Sequence, residues 1–410
     1  MLSASCVAVV LAVVGCAPSS TNDHVVLKWW MTVPSSDDAA AALEEVVAQY
    51  NEQQSDVEVD LQYRAVDPLK NALRLTAGST ASPDIYYMWA GPGLGGEFVD
   101  AGVSLDLTGY YEQYDWNDRF SEGTLTNYTQ YGGHHGVPWT QRGEVIYYNR
   151  ALFAEAGITS LPTNYAGLVA AAQQLKAAGI TPMTLGGKDN WHIMRLLDAI
   201  IETECGADLG DQLSALEVSW ADQPCVDEAF TQLKEWGGYF EQGYPGLAQS
   251  DAAALFQRNE AAMTFEGDWF TGSLTNPDDY GVFVFPTGTD RLYGFSEGQY
   301  ITATSQHPDE AAAFLDYLTS APVQDQIGAY FAATSVNQSV TFSEDSSNSV
   351  QEAMQQIIAN AQGYYLNNDQ NFPVGVTTEY WRIQNGVLAG TIQPDSAGAA
   401  LQSFIDSNQR

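Results

Sequence analysis

The sequence predicts an α/β protein built as two lobes. Three observations carry this. Strand-type and helix-type hydrophobic periods alternate from residue 25 onward. The chain has 410 residues, more than one average domain. Its apolar content of 45% is ample for buried cores. Residues 25–30 form an apolar, β-branched run, a buried strand. Pro34-Ser35-Ser36-Asp37 supplies a turn and a helix cap. Leu43, Val46, Val47 and Tyr50 follow at i, i+3, i+4 and i+7, so a helix reaches about Tyr50. Val57, Val59, Leu61 and Tyr63 alternate with polar residues, which marks a strand with one wetter face. Asp67-Pro68 opens a helix that ends near Gly78, and residues 85–89 are a third strand. This alternation implies a mostly parallel sheet with right-handed crossovers. Ligands bind at the carboxyl ends of such strands. Trp30 follows the first strand and Trp89 the third.

The middle repeats the theme. Residues 145–148 read as a strand, 151–156 as a short helix, and 165–178 as a helix stopped by Gly179. Gly186-Gly187-Lys188-Asp189-Asn190-Trp191 is a loop before a helix around 193–201. Residues 261–265, 282–285 and 300–303 read as strands. Pro308, with Asp309 and Glu310 in the first turn, opens a helix through Leu318. Residues 343–349 are Ser-rich and read as a loop.

The N-terminus and the charge bound the compartment and the partners. An apolar run over residues 6–15 ends in Val13-Val14-Gly15-Cys16. It is about half the ~20 apolar residues a membrane span needs. It reads as a lipoprotein signal, with Cys16 as the lipidated N-terminus after cleavage. Met1-Leu2-Ser3-Ala4-Ser5 lacks the Lys or Arg with which such signals open. The polar tract up to residue 24 is a tether. The formal charge is -36, from 15 Lys+Arg against 51 Asp+Glu. Such a surface repels phosphate backbones and anionic headgroups, so nucleic acid is excluded and the membrane is met only through the anchor. Cys205 and Cys225 remain as a pair in an exported chain. A disulfide closing a loop of about twenty residues contributes roughly 3 kcal/mol; two free thiols are the alternative.

No catalytic motif is present: no GxSxG, Walker loop, HExxH or GxGxxG after a strand. Gly91-Pro92-Gly93-Leu94-Gly95-Gly96 follows a strand but lacks the Lys of a phosphate loop. The adjacent His134-His135 point apart on an extended segment and do not make a metal pair. No cofactor or metal is expected. What stands out is a set of tryptophans just past strands or in glycine-rich loops: Trp30, Trp89, Trp139, Trp191, Trp269 and Trp381. Sugars offer C–H faces that stack on such rings and hydroxyls that pair with carboxylates, amides and guanidinium groups. Arg142 lies near Trp139, Asp189 near Trp191, Asp268 beside Trp269 and Glu379 near Trp381.

Segments spread along nearly the whole chain resemble the family 1 extracellular solute-binding proteins, the sugar-capturing lipoproteins of ABC importers, and most of all their maltodextrin- and oligosaccharide-binding branch. They include Leu27-Lys28-Trp29-Trp30, Pro83-Asp84-Ile85 to Trp89, Gly136-Val137-Pro138-Trp139 and Tyr147-Tyr148-Asn149-Arg150-Ala151-Leu152-Phe153. Asn259-Glu260-Ala261-Ala262-Met263-Thr264-Phe265-Glu266-Gly267-Asp268-Trp269 and His307-Pro308-Asp309-Glu310-Ala311-Ala312 continue the series. The resemblance implies a periplasmic-binding-protein-like fold, two α/β lobes joined by hinge crossovers around a ligand cleft. One lobe takes residues 25–140 and 298–335, the other 141–297 and 336–410. It places Trp30 and Trp89 on one rim, Trp191 and Trp269 on the other, Arg142 on the first crossover, and Glu297 and Gln299 on the second. Tyr380 or Trp381 supplies a C-terminal aromatic contact. The implied function is non-enzymatic capture of a mono- or oligosaccharide by a lipid-anchored, extracytoplasmic monomer that delivers it to permease subunits. An exported glycoside hydrolase and a binder of a non-sugar solute such as a polyamine are the alternatives.

Overall fold

In the computed structural model, which describes residues 24–34, 36–331, 334–340 and 349–408, the backbone is organised around one ten-stranded sheet. Strands β1 (Val25–Thr32), β2 (Val57–Arg64) and β3 (Ile85–Trp89) come first. Helices α1 (Asp37–Gln53) and α2 (Val66–Thr76) connect them. Then follow β4 (Val137–Asn149), β5 (Met183–Thr184), β6 (Met263–Gly267), β7 (Tyr280–Phe283), β8 (Leu292–Ile301), β9 (Thr334–Ser335) and β10 (Tyr364–Leu366). Local signals act as read. The Ser36 side chain accepts from the Ala39 N–H and caps α1. Pro308 sits in the first turn of the helix Pro308–Leu318. The signal residues, Cys16, the tether up to residue 23 and the Ser-rich residues 343–348 lie outside the described residues.

The expected mostly parallel sheet is corrected. Its path runs β2-β1-β3-β8-β4-β6-β5. β1 pairs in parallel with β2 and β3, but β8 runs antiparallel to both β3 and β4. The reason is connectivity. β4 and β8 are long strands that run past one another in opposite directions, pairing from Val137↔Gln299 to Glu144↔Tyr293. Sequence reading gave only residues 145–148 of the one and 300–303 at the end of the other; Pro138, Gly143, Gly294 and Gly298 interrupt the apolar pattern over the rest. The glycines are there for close approach: a Cβ on Gly294 would lie 2.3 Å from the Arg142 carbonyl oxygen. The helix expected around 193–201 is likewise longer, Asn190–Ser214, with Gly206 breaking it at φ 73°.

Buried side chains gather in separate clusters. One holds Leu27, Trp29, Met31, Leu43, Ile85, Tyr300, Phe314 and Leu315. A second holds Ile146, Phe153, Leu168, Ile193, Leu197, Phe230, Phe265 and Ile383. A third, with Val145, Tyr147, Phe256 and Met354, covers the other face of β4. β4 and β8 run from the first cluster to the second. Cys205 and Cys225 are joined in a disulfide that ties the helix Asn190–Ser214 to the helix Pro224–Trp236. Among the described residues no helix is long and apolar enough to cross a membrane.

Candidate functional site

The crossing strands build a charged floor. Arg142 on β4 donates from Nε to Glu297 Oε2 on β8 (2.9 Å) and from Nη1 to Asp268 Oδ1 just past β6 (3.2 Å). Glu297 also accepts from the hydroxyls of Tyr87 on β3 and Thr140 on β4. All three ionic groups are buried. Burial pushes the Asp268 carboxyl up to about 7; Arg142 pulls against this and Glu297 adds to it. Asp268 Oδ2 has no hydrogen-bond partner among the described residues. A buried polar atom left unmet is costly. Residues more than a hundred positions apart thus form one polar unit that reaches from one core cluster to the other.

Two aromatic walls flank the floor. On one side Trp191 and Trp269 are half-buried around Arg195, whose guanidinium carbon lies 4.7 Å and 5.5 Å from their ring centres. Trp269 also meets Phe295 of β8 at 5.5 Å. Arg195 is held from beneath, Nε 2.8 Å from Glu144 Oε2 and Nη1 3.0 Å from Glu266 Oε2. Glu266 in turn faces His192 Nε2 (3.2 Å) and accepts from Gln249 (2.6 Å). His192 Nδ1 accepts from the Gly186 N–H, so its proton belongs on Nε2, toward Glu266. On the other side half-buried Trp89 packs edge-on against Tyr87 at 5.0 Å, with the Lys70 ammonium 4.8 Å from its ring centre.

Of the residues singled out from sequence, Trp89, Arg142, Trp191, Asp268, Trp269 and Glu297 are drawn together. Asp189 stands beside them, accepting from the Gln249 N–H (2.6 Å). Four others are corrected. Trp30 lies inside β1 rather than past it and is 5% exposed, its ring under the Arg64 guanidinium at 3.8 Å. Trp139 is 1% exposed and packs on Trp29. Gln299 is fully buried, accepting from the Trp29 indole N–H at 2.8 Å. Tyr380 is fully buried and donates to Asp198. Alternation along a strand or helix sends such residues to the core, and a loop reading hides it. Of the C-terminal pair, Trp381 alone keeps an exposed part, its indole N–H against Met194.

Sequence reading missed Tyr87, Thr140, Lys70, Glu144, Arg195, Glu266 and Asp369. One signal was available: Arg195 follows Trp191 by four residues, the spacing of one helix face. His134 and His135 pack on Tyr111 and against Ser104. No group of ligating side chains among the described residues could hold a metal. A separate cavity of about 670 Å³ is lined by Pro92, Gln130, Asp198, Glu202, Asp211 and Asn371 and holds no tryptophan. Its carboxylates are already engaged, Asp198 by Tyr293, Tyr380 and Asn368, Glu202 and Asp211 by Arg291.

Comparison with known proteins gives this geometry a context. A family model described as bacterial extracellular solute-binding protein matches residues 34–325. An uncharacterized ABC transporter extracellular-binding protein of Pyrococcus horikoshii is 26% identical over 293 residues, 69% of this chain and 66% of that protein. The multiple sugar-binding protein of Streptococcus mutans is 25% identical over 239 residues, 55% of this chain and 56% of that one. Matches to such curated relatives span from 42% to 66% of their length. A solved chitin oligosaccharide binding protein superposes with a TM-score of 0.84 at 25% identity, covering 94% of this chain and 99% of that one. A protein solved in work on xylan utilization by Caldanaerobius polysaccharolyticus gives 0.83 at 24% identity, covering 93% and 100%.

Proposed function

The chain belongs to the bacterial extracellular solute-binding proteins, and on that premise we propose that it captures a sugar or short oligosaccharide between its lobes and hands it to the permease of an ABC importer. The observation that carries the reading is the arrangement of Trp89 on one side and Trp191 and Trp269 on the other. Between them lies a buried floor in which Asp268 keeps an unmet acceptor. Pyranose C–H faces stack on the rings while hydroxyls meet the floor. The similarity to a chitin oligosaccharide binding protein and to a multiple sugar-binding protein supports the same class of ligand.

The lobes are taken as residues 25–140 with 298–335 and 141–297 with 336–410. The two main core clusters support that division, although Val336, one residue past the boundary, packs with the first. Closure then follows from differential affinity: a ligand that touches both lobes binds the closed state more tightly and shifts the population toward it. The anchor at Cys16 and the outward location rest on the Val13-Val14-Gly15-Cys16 run and on the family. One copy carries both walls of the cleft, so a monomer would suffice for capture.

The alternatives fit the geometry less well. A glycoside hydrolase needs two carboxyl groups about 5–9.5 Å apart across the scissile bond. Asp268 and Glu297 are both engaged by Arg142, and Glu297 also by Tyr87 and Thr140, which suits a fixed ion-pair floor better than a proton-transferring pair. A polyamine would meet Lys70 on Trp89 and Arg195 on Trp191 and Trp269, cations that repel it.

The test is a thermal-shift screen of the intact chain against xylotriose, chitotriose, maltotriose, raffinose, galactose and spermidine. A native-state ligand raises the midpoint by mass action. A shift with one sugar series supports the reading and names the class. A shift with spermidine alone, or with no sugar at millimolar concentration, overturns it.

A further inference from the structure

Opposite Trp89, the second lobe presents the segment Asn367–Phe372. Its backbone is pressed against the glycine-rich loop that follows Trp89. The Gly93 N–H donates to the Gln370 carbonyl oxygen at 2.6 Å. A Cβ on Gly93 would lie 2.0 Å from the Phe372 oxygen and 2.6 Å from that of Asp369. Phe372 belongs to the second core cluster and Leu94 to the first, so this contact joins the two lobes. The segment carries Asp369, and the loop follows Trp89, over whose ring the ammonium of Lys70 in α2 lies at 4.8 Å.

These two side chains are an incomplete pair. Lys70 is half-buried and its ammonium lies 4.8 Å from the Trp89 ring centre, with no hydrogen-bond acceptor and no ion pair among the described residues. Asp369 Oδ1 is buried and has no hydrogen-bond partner among them. Each feels the other's charge. Asp67 and Glu97 also act on Lys70 through space, but neither forms an ion pair with it. A half-buried cation over Trp89 and a buried unmet acceptor, one from each lobe, suit a group that accepts from the first and donates to the second. A hydroxyl does both. A carboxylate would satisfy Lys70 but would set a second negative charge beside Asp369.

We propose that Lys70 and Asp369 form a two-lobe clamp on a hydroxyl group of the ligand seated against Trp89, and that the clamp selects neutral sugars against sugars bearing a carboxylate there. The inference rests on the sugar-capture reading. It deepens that reading by naming a specificity pair outside the Arg142 floor. The clamp also couples recognition to closure, because the hydroxyl is gripped from both lobes only when they are together.

The experiment uses the intact chain with Lys70→Met, Asp369→Asn and the double variant. The unliganded midpoint is measured first. Titration calorimetry follows with xylotriose, chitotriose and raffinose, and with trigalacturonate as the carboxylate arm. The clamp predicts an unliganded midpoint for Lys70→Met equal to or above that of the parent. It predicts at least a tenfold loss of affinity for the bound neutral sugar in each single variant. The loss in the double variant is smaller than the product of the two. Asp369→Asn narrows the preference for neutral sugar over trigalacturonate. A lowered unliganded midpoint with unchanged sugar affinity would show a plain structural ion pair and overturn the clamp. So would parent affinity for trigalacturonate equal to that for the neutral sugars. If the parent binds none of the sugars, the capture reading fails. The unliganded midpoint of Lys70→Met then still decides whether the pair is structural.

Discussion

Replacing Arg195 by Met tests whether one buried cation supports both the second lobe and its aromatic wall. The side chain keeps its bulk but loses its charge. Glu144 and Glu266, both fully buried, are then left facing each other. Glu266 keeps His192 and Gln249. Glu144 keeps a single long bond from Asn367 (3.3 Å), so Glu144 is the one that takes up a proton. Breaking a buried ion pair from one side costs about 3–5 kcal/mol, and roughly 2–4 °C of midpoint per kcal/mol in domains of 150–250 residues. The pH dependence gives the signature. In the parent, burial pushes Glu266 up, but His192 and Arg195 outweigh it and hold the carboxyl at about 2. Its stabilisation is therefore present above the unfolded value of roughly 4.3 and is lost only as pH falls toward 2. Glu144 stands at about 7, raised by burial with Arg195 pulling against it. Without Arg195 the Glu144 carboxyl rises further above the unfolded value, while His192 and Gln249 still hold Glu266. A raised carboxyl stabilises below the unfolded pKa and loses that as pH climbs through the folded one. Urea unfolding at pH 5.5 and pH 8 reads both effects. We expect a loss of about 3–5 kcal/mol at pH 8 and a smaller loss at pH 5.5. A loss under about 1 kcal/mol at pH 8, the size of a surface pair, would refute the argument, as would a larger loss in acid.

Three further outcomes are expected. Trp191→Ala and Trp269→Ala each weaken sugar affinity by about tenfold or more, roughly 1.4 kcal/mol, while unfolding stays cooperative; unchanged affinity in both would place the cleft elsewhere. Gly93→Ala sets a methyl 2.0 Å from the Phe372 oxygen, so the lobes cannot meet; small-angle scattering with saturating sugar should show a larger radius of gyration than the parent, and an equal radius would show the contact to be dispensable. Reduction of Cys205–Cys225 should lower stability by roughly 3 kcal/mol for a loop of about twenty residues, read from urea midpoints with and without reductant.

Much of the fold was legible because it rests on local rules. Leu43, Val46, Val47 and Tyr50 sit one helical turn apart whatever surrounds them, and a Ser36 cap or a Pro308 start needs only its own backbone. The parallel β1, β2 and β3 follow from the helices between them. The Cys205–Cys225 pair followed from counting. The family was legible as well, since segment order along the chain survives where single motifs are weak. The reach of β4 and β8 was not. Their glycines interrupt the apolar pattern, and only the neighbouring Arg142 carbonyl shows why a side chain cannot stand at Gly294.

The candidate site divides along the same line. Sequence alone nominated aromatic and acidic residues for a sugar cleft, because stacking and hydrogen bonding demand those types wherever they occur. It could not say which tryptophans keep an open face. Trp30 and Trp139 are as suitable in composition as Trp89 and Trp269, yet they are spent in the first core. Nor could it find Lys70, Asp369 or the Arg195 network. Ion pairing and burial depend on distances between residues from Glu144 to Asn367, and those distances exist only once β4 and β8 have crossed. Chemistry by residue type was written in the chain; partnership, exposure and charge balance were decided by the tertiary packing that brings distant segments into contact.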